Sequence, residues 1–158
     1  MDVHPHRSSL LTVQPEWIDH NGHLNMAYYH VLFDRGADEL FALFGVTPES
    51  ITETQRSTFS AESHVCYLRE LHVGARVTVT SQLLDMDEKR FHFYQELYHE
   101  DGWLSATAEG LGLHIDLTGP RVSPALPERY AAMEKILSEH KKLPHPERAG
   151  RSIGIRRK

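Results

Sequence analysis

The chain has 158 residues, a formal net charge of −5, 40% hydrophobic and 25% charged residues. That is enough for one ordinary globular core, and the acidic balance excludes nucleic acid as a default partner, because phosphate binding asks for a basic face. A single cysteine, Cys66, excludes an internal disulfide; with no apolar leader in residues 1–9 and no apolar run of membrane-spanning length, the expectation is a cytoplasmic protein without a membrane segment.

Residues 1–9 read as a flexible tail. Leu10 to Val13 could form a short strand ending at Pro15, which cannot donate to a ladder. Then comes W-I-D-H-N-G-H-L-N, which brings Asp19, His20, His23 and Asn25 together around Gly22, with Asn21-Gly22 as the turn signal. Asn25 is placed to cap a helix. Behind it, Tyr29, Leu32, Phe33, Gly36, Ala37, Leu40 and Phe44 fall on one face of a helix over Ala27–Phe44, closed by Gly45. Gly36 in mid-helix predicts a close approach to another backbone.

Pro48 to Thr58 is a polar connection with room for one helical turn. After it the period changes from 3.6 to 2. Strands are predicted over Thr58–Leu71, Arg76–Leu84, Arg90–His99 and Trp103–Leu117, with Asp101-Gly102 as a hairpin turn. Short connections predict an antiparallel meander. In the last strand Ala106, Ala108, Gly110 and Gly112 share a face and leave room for close packing. Gly119–Pro127 is a proline-rich linker, Glu128–His140 a second helix packed through Tyr130, Met133, Ile136 and Leu137, and residues 141–158 a basic tail expected to be mobile. The expectation is one α+β domain over residues 10–140.

A carboxylate and a turn directly before a helix start place a charged group beside unpaired backbone donors, a setting for chemistry on a carbonyl. Twelve histidines raise the question of a metal. His20 and His23 stand three apart, but there is no H-E-x-x-H and no Cys–His ligand set, so no metal is expected.

The D19-H-N-G-H-L-N25 loop ahead of the A-Y-Y helix, with V-C-Y-L-R-E-L-H-V-G74 and the A-T-A-E-G strand, resembles the hotdog-fold acyl-CoA thioesterases of the 4-hydroxybenzoyl-CoA thioesterase-like superfamily. The resemblance spans roughly residues 10–117. It implies a long central helix wrapped by an antiparallel sheet, dimers or dimers of dimers joined edge to edge, and active sites at the subunit interface. It also implies an acyl-CoA substrate, with coenzyme A as part of the substrate and no other cofactor.

By position, Asp19 matches the family's catalytic carboxylate, as nucleophile or as general base on water. Backbone N–H groups at the helix start would hold the thioester oxygen. Two positions depart from the pattern of other branches. Trp17 stands where many members carry an acid, and Met26 where one branch carries a histidine, so His23 and Asn25 are the further catalytic candidates. A narrower similarity, carried by the loop and E-K-R-F-H-F-Y-Q from Glu88, is to the hotdog proteins of carnitine breakdown that act on betainyl-CoA. For its trimethylammonium group Trp17, Tyr28 and Tyr67 are candidate walls of an aromatic cage.

The plainer readings stand beside these. Asp19 can simply cap a turn, His23 can be a loop histidine bonded to backbone, and Asn25 can be an N-cap alone. His64 and Cys66 share a strand face at roughly 6–7 Å, too far apart for a hydrogen bond without bending, so Cys66 reads as a small buried hydrophobe. Glu62, Ser63 and His64 are candidates, any one of which would assist the site across the interface. Arg69, Arg76, Lys89, Arg90 and Arg121 are candidate contacts for the coenzyme A phosphates. The alternatives in function are a non-catalytic acyl-CoA-binding hotdog domain and an enoyl-thioester hydratase.

Overall fold

The computed structural model describes residues 2–158. Helix α1 (Met26–Leu43) buries Tyr29, Leu32, Phe33, Gly36, Ala37 and Leu40, the face its apolar period dictates. Asn25 caps it, its Oδ1 accepting the Ala27 N–H at 3.0 Å. Gly45, at φ 84°, lets the chain leave. The polar connection holds more than one turn: α2 (Pro48–Thr54) is fixed by a reciprocal capping box between Thr47 and Ser50.

Among the described residues seven strands form one antiparallel sheet. Two short ones, β1 (His6–Arg7) and β2 (Leu11–Thr12), precede α1. Four long ones follow α2: β3 (Arg56–Tyr67), β4 (Arg76–Met86), β5 (Arg90–His99) and β6 (Leu104–Asp116). A last short strand, β7 (Arg121–Val122), leads to α3 (Pro127–His140). The spatial order is β1-β4-β5-β6-β3, with β2 also on β4 and β7 on β6. Strands β4, β5 and β6 make the expected meander. Strand β3 departs from it, for it lies beyond β6, with Arg56 opposite Asp116 and Tyr67 opposite Ala106. The connection after Tyr67 carries the chain across the sheet, so sequence neighbours become opposite flanks.

Helix α1 crosses one face of this sheet. Gly36 allows the approach, because a Cβ there would stand 2.5 Å from Val79 Cγ1, so the close neighbour is a side chain rather than a backbone. Gly110 and Gly112 likewise give space to Phe93 and Phe91. Apolar burial gathers in two clusters. Val13, Leu24, Leu71, Val77 and Leu97 cluster with Leu32 of the first half of α1. Leu40, Phe44, Leu83, Phe91, Met133 and Leu137 bind its second half and α3 to the sheet. Helix α3 also buries two polar residues the apolar pattern did not reveal. Arg129 donates to the Arg56 carbonyl at 2.9 Å, and the Leu83 N–H donates to His140 Nδ1 at 2.9 Å.

Both ends are more tied down than their composition suggests. His6 and Arg7 pair with Ser81 and Thr80 of β4, and buried Ser8 accepts the Val79 N–H at 2.9 Å, because β4 would otherwise leave its outer edge unpaired. In the basic tail the Pro144 carbonyl accepts from Gln82 at 3.3 Å, and the Gly150 N–H meets the Glu109 carboxylate at 2.8 and 2.9 Å. Among the described residues no helix is long and apolar enough to cross a membrane.

Candidate active site

The loop from Trp17 to Asn25 is stapled at both ends before it reaches α1. Ile18 and Leu24 form an isolated bridge, and the Leu24 N–H donates to the Leu71 carbonyl at 2.8 Å. The Asn25 N–H donates to the Trp17 carbonyl at 2.9 Å. Inside this frame Gly22 adopts φ 80°, and its N–H closes the turn on the Asp19 carbonyl at 3.0 Å. Gly22 therefore shapes the loop rather than lining the cavity.

Asp19 is half-buried, and each carboxylate oxygen has one donor. Oδ1 accepts the Asn21 N–H at 2.8 Å, and Oδ2 accepts the Asn25 side-chain amide at 3.0 Å. These bonds, the Asn21 one foremost, hold its carboxyl below the usual carboxylate range. One lone pair on each oxygen stays available to a substrate or water. Asn25 thus does two things with one amide: Nδ2 aims Asp19 and Oδ1 caps α1.

The donors at the helix start are fewer than its free first turn suggests. The Ala27 N–H is taken by Asn25 Oδ1 and the Tyr28 N–H by the Asn25 carbonyl, at 3.0 Å each. The Met26 N–H is the amide of that turn without a partner among the described residues.

Asp19, His23, Asn25 and Met26 border a cavity of about 510 Å³ that Tyr29, Tyr67, Arg69 and Glu70 also line. His23 lies within it and makes only a long contact, Nδ1 to the Leu24 carbonyl at 3.4 Å. Tyr67 donates to the Met26 carbonyl at 3.1 Å, and its ring meets the Tyr29 ring edge-on at 4.9 Å. Burial pushes the Tyr29 phenol up.

Other predicted site residues stand elsewhere. Trp17 is buried, stacked on Tyr28 at 5.7 Å and covered by the Arg35 guanidinium at 5.2 Å, so neither Trp17 nor Tyr28 faces the cavity. Of the three expected cage walls only Tyr67 does. Glu62 and His64 lie along β3, where with His92 and Glu109 they border a separate cavity of about 470 Å³. Within one chain they do not meet Asp19. His64 Nε2 touches Cys66 Sγ at 3.6 Å, closer than straight-strand spacing allows.

Four of the five cations considered for phosphates are engaged. Arg76 pairs with Glu100, Arg90 with Asp87 and Arg121 with Asp116, while Arg69 lies over the Trp103 ring at 3.9 Å. Two wall residues escaped sequence reasoning. Tyr29 sat on an apolar helix face and read as core, and Glu70 fell inside the strand expected over Thr58–Leu71, which in fact ends at Tyr67.

A model of the thioesterase-like superfamily matches residues 13–136. The chain belongs to that family. It is a thioester hydrolase by membership. It is 40% identical over 144 residues to a betainyl-CoA thioesterase of Pseudomonas aeruginosa, covering 90% of this chain and 91% of that protein. It is 36% identical over 146 residues to an L-carnitine dehydrogenase/betainyl-CoA thioesterase of Rhizobium meliloti, covering 92% of this chain but 29% of that longer protein. Among solved structures, a Staphylococcus aureus protein in complex with CoA superposes with a TM-score of 0.90 at 28% identity, over 99% of this chain and 98% of that one. A DHNA-CoA thioesterase from the same organism, at 14% identity and a TM-score of 0.79, covers 86% of this chain and 94% of its own and shares the fold. The long helix laid across an antiparallel sheet is the hotdog fold.

Proposed function

We propose that this thioesterase hydrolyses a small acyl-CoA, betainyl-CoA foremost, with Asp19 as the reacting carboxylate. The observation that carries this is the Asp19 carboxylate held by Asn21 and Asn25 beside the unpartnered Met26 N–H, at the edge of one cavity. Similarity to the betainyl-CoA thioesterase supports the choice of acyl group.

As general base, Asp19 takes a proton from a water whose oxygen attacks the thioester carbonyl carbon. The developing oxyanion accepts from the Met26 N–H at the electropositive start of α1. The tetrahedral centre then collapses, the C–S bond breaks, and the proton passes from Asp19 to the coenzyme A thiolate, giving free acid and thiol. Direct attack by Asp19 is the other route the same placement serves: the water then hydrolyses an acyl-aspartate. Neither route calls on a metal or a second cofactor. The outer edge of β3 takes a second copy of the chain, which brings Glu62 or His64 of one subunit towards the Asp19 site of the other.

Asp19→Asn keeps both neighbours' shape but removes the base. Thiol release from betainyl-CoA is expected to fall by about 100-fold or more while the circular dichroism spectrum is unchanged. Near-wild-type turnover by a folded Asp19→Asn protein would remove Asp19 from the chemistry.

A further inference from the structure

The wall of the Asp19 cavity carries a charge pattern that the reaction itself does not need. Hydrolysis asks for one carboxylate, yet a second, Glu70, shares the cavity with the Tyr29 and Tyr67 rings. Arg69 lines the same cavity, but its guanidinium lies over the Trp103 ring at 3.9 Å and makes no ion pair with Glu70 among the described residues. The two tyrosine rings stand edge to face at 4.9 Å, and the Tyr67 hydroxyl is tethered to the Met26 carbonyl at 3.1 Å. That tether sets Tyr67 one residue from the cap that orients Asp19. Aromatic faces and carboxylates together attract an organic cation, and repel an acyl group with a carboxylate of its own.

We infer that Tyr67, Tyr29 and Glu70 are the specificity residues of this site, selecting an acyl group that carries a quaternary ammonium beside the thioester. The inference rests on the hydrolase reading of Asp19 for its geometry. In a betainyl thioester one methylene separates the nitrogen from the carbonyl carbon, so a carbonyl within reach of Asp19 puts the cation into this same cavity. It replaces the cage of Trp17, Tyr28 and Tyr67, because Trp17 already spends its ring on Tyr28 and Arg35. Tyr29 is buried and supplies a fixed wall, whereas Tyr67 and Glu70 are exposed in the single chain and form the open side.

The test compares betainyl-CoA with 3,3-dimethylbutanoyl-CoA, its neutral isostere, in which carbon replaces the nitrogen. The readout is the ratio of kcat/KM for the two esters, together with the ratio of their dissociation constants on Asp19→Asn, which binds without turnover. The wild type should favour the cation by about 10-fold or more, in line with a few favourable cation contacts. Glu70→Gln and Tyr67→Leu should each cut that ratio several-fold, and Tyr67→Phe, which keeps the ring, should retain most of it. A wild-type ratio near one, or one that Glu70→Gln and Tyr67→Leu leave unchanged, overturns the assignment. If the wild type releases no thiol while Asp19→Asn still prefers the cationic ester, the hydrolase reading fails and the cation site stands. If both esters are cleaved and bound equally, the reverse holds.

Discussion

At the residue scale the site turns on Asn25. Its amide donates to Asp19 and accepts from the Ala27 N–H, so one side chain fixes both the carboxylate and the first turn of α1. Asn25→Ala should cost about 1 kcal/mol of stability through the lost cap, read by urea unfolding. It should also change the acid limb of the rate. In the proposed mechanism the reactive form is the carboxylate; donation by Asn21 and Asn25 lowers its pKa, so activity should persist to lower pH than an ordinary aspartate allows. Removing the Asn25 donor raises that pKa, and the pH profile of kcat/KM should lose activity at a higher pH than in the wild type. An unshifted acid limb would mean that Asn25 does not act on Asp19. The grouping of Asp19 and Asn25 around Gly22 and the Asn25 cap were legible in the sequence, but the hydrogen bond between the two side chains was not. The expected cage did not assemble as read: Trp17 and Tyr28 are near Asp19 along the chain, but their rings stack on each other and Arg35 lies over Trp17.

At the element scale, period and punctuation located α1, β4, β5 and β6 to within a few residues, since each element's burial alternates as its sequence does. The placement of β3 was not legible. Strand pairing is non-local, and an exposed, polar strand such as β3 carries no sign of which neighbour it takes. Helix α1 against β4 gives the sharpest packing test. Gly36→Ala gains up to about 1 kcal/mol of helix propensity but pushes a methyl into Val79 at 2.5 Å, and overpacking costs about 1–3 kcal/mol. The second effect should win, so the variant is expected to unfold at lower urea. Adding Val79→Ala, which vacates the space, should recover part of the loss. A more stable Gly36→Ala single variant would show that the helix can shift away at little cost.

At the scale of the whole molecule, β3 is a 12-residue strand whose outer edge has no neighbour among the described residues, with Phe59 exposed on it. Long unpaired edges are templates for another chain. The protein should therefore sediment at micromolar concentration as a dimer or a larger even assembly, and a clean monomer would remove β3 as the joining edge. The opposite flank is different. There the chain's own start lies along β4 as two strands of two residues each, β1 and β2, interrupted between Arg7 and Leu11. So short and broken a border offers little ladder to a stranger. A sheet sticky on both flanks would add copies without end and grow a fibre. With one flank sealed by the N-terminal segment, association through β3 consumes the long free border of each copy's described residues, and growth of the sheet stops at two.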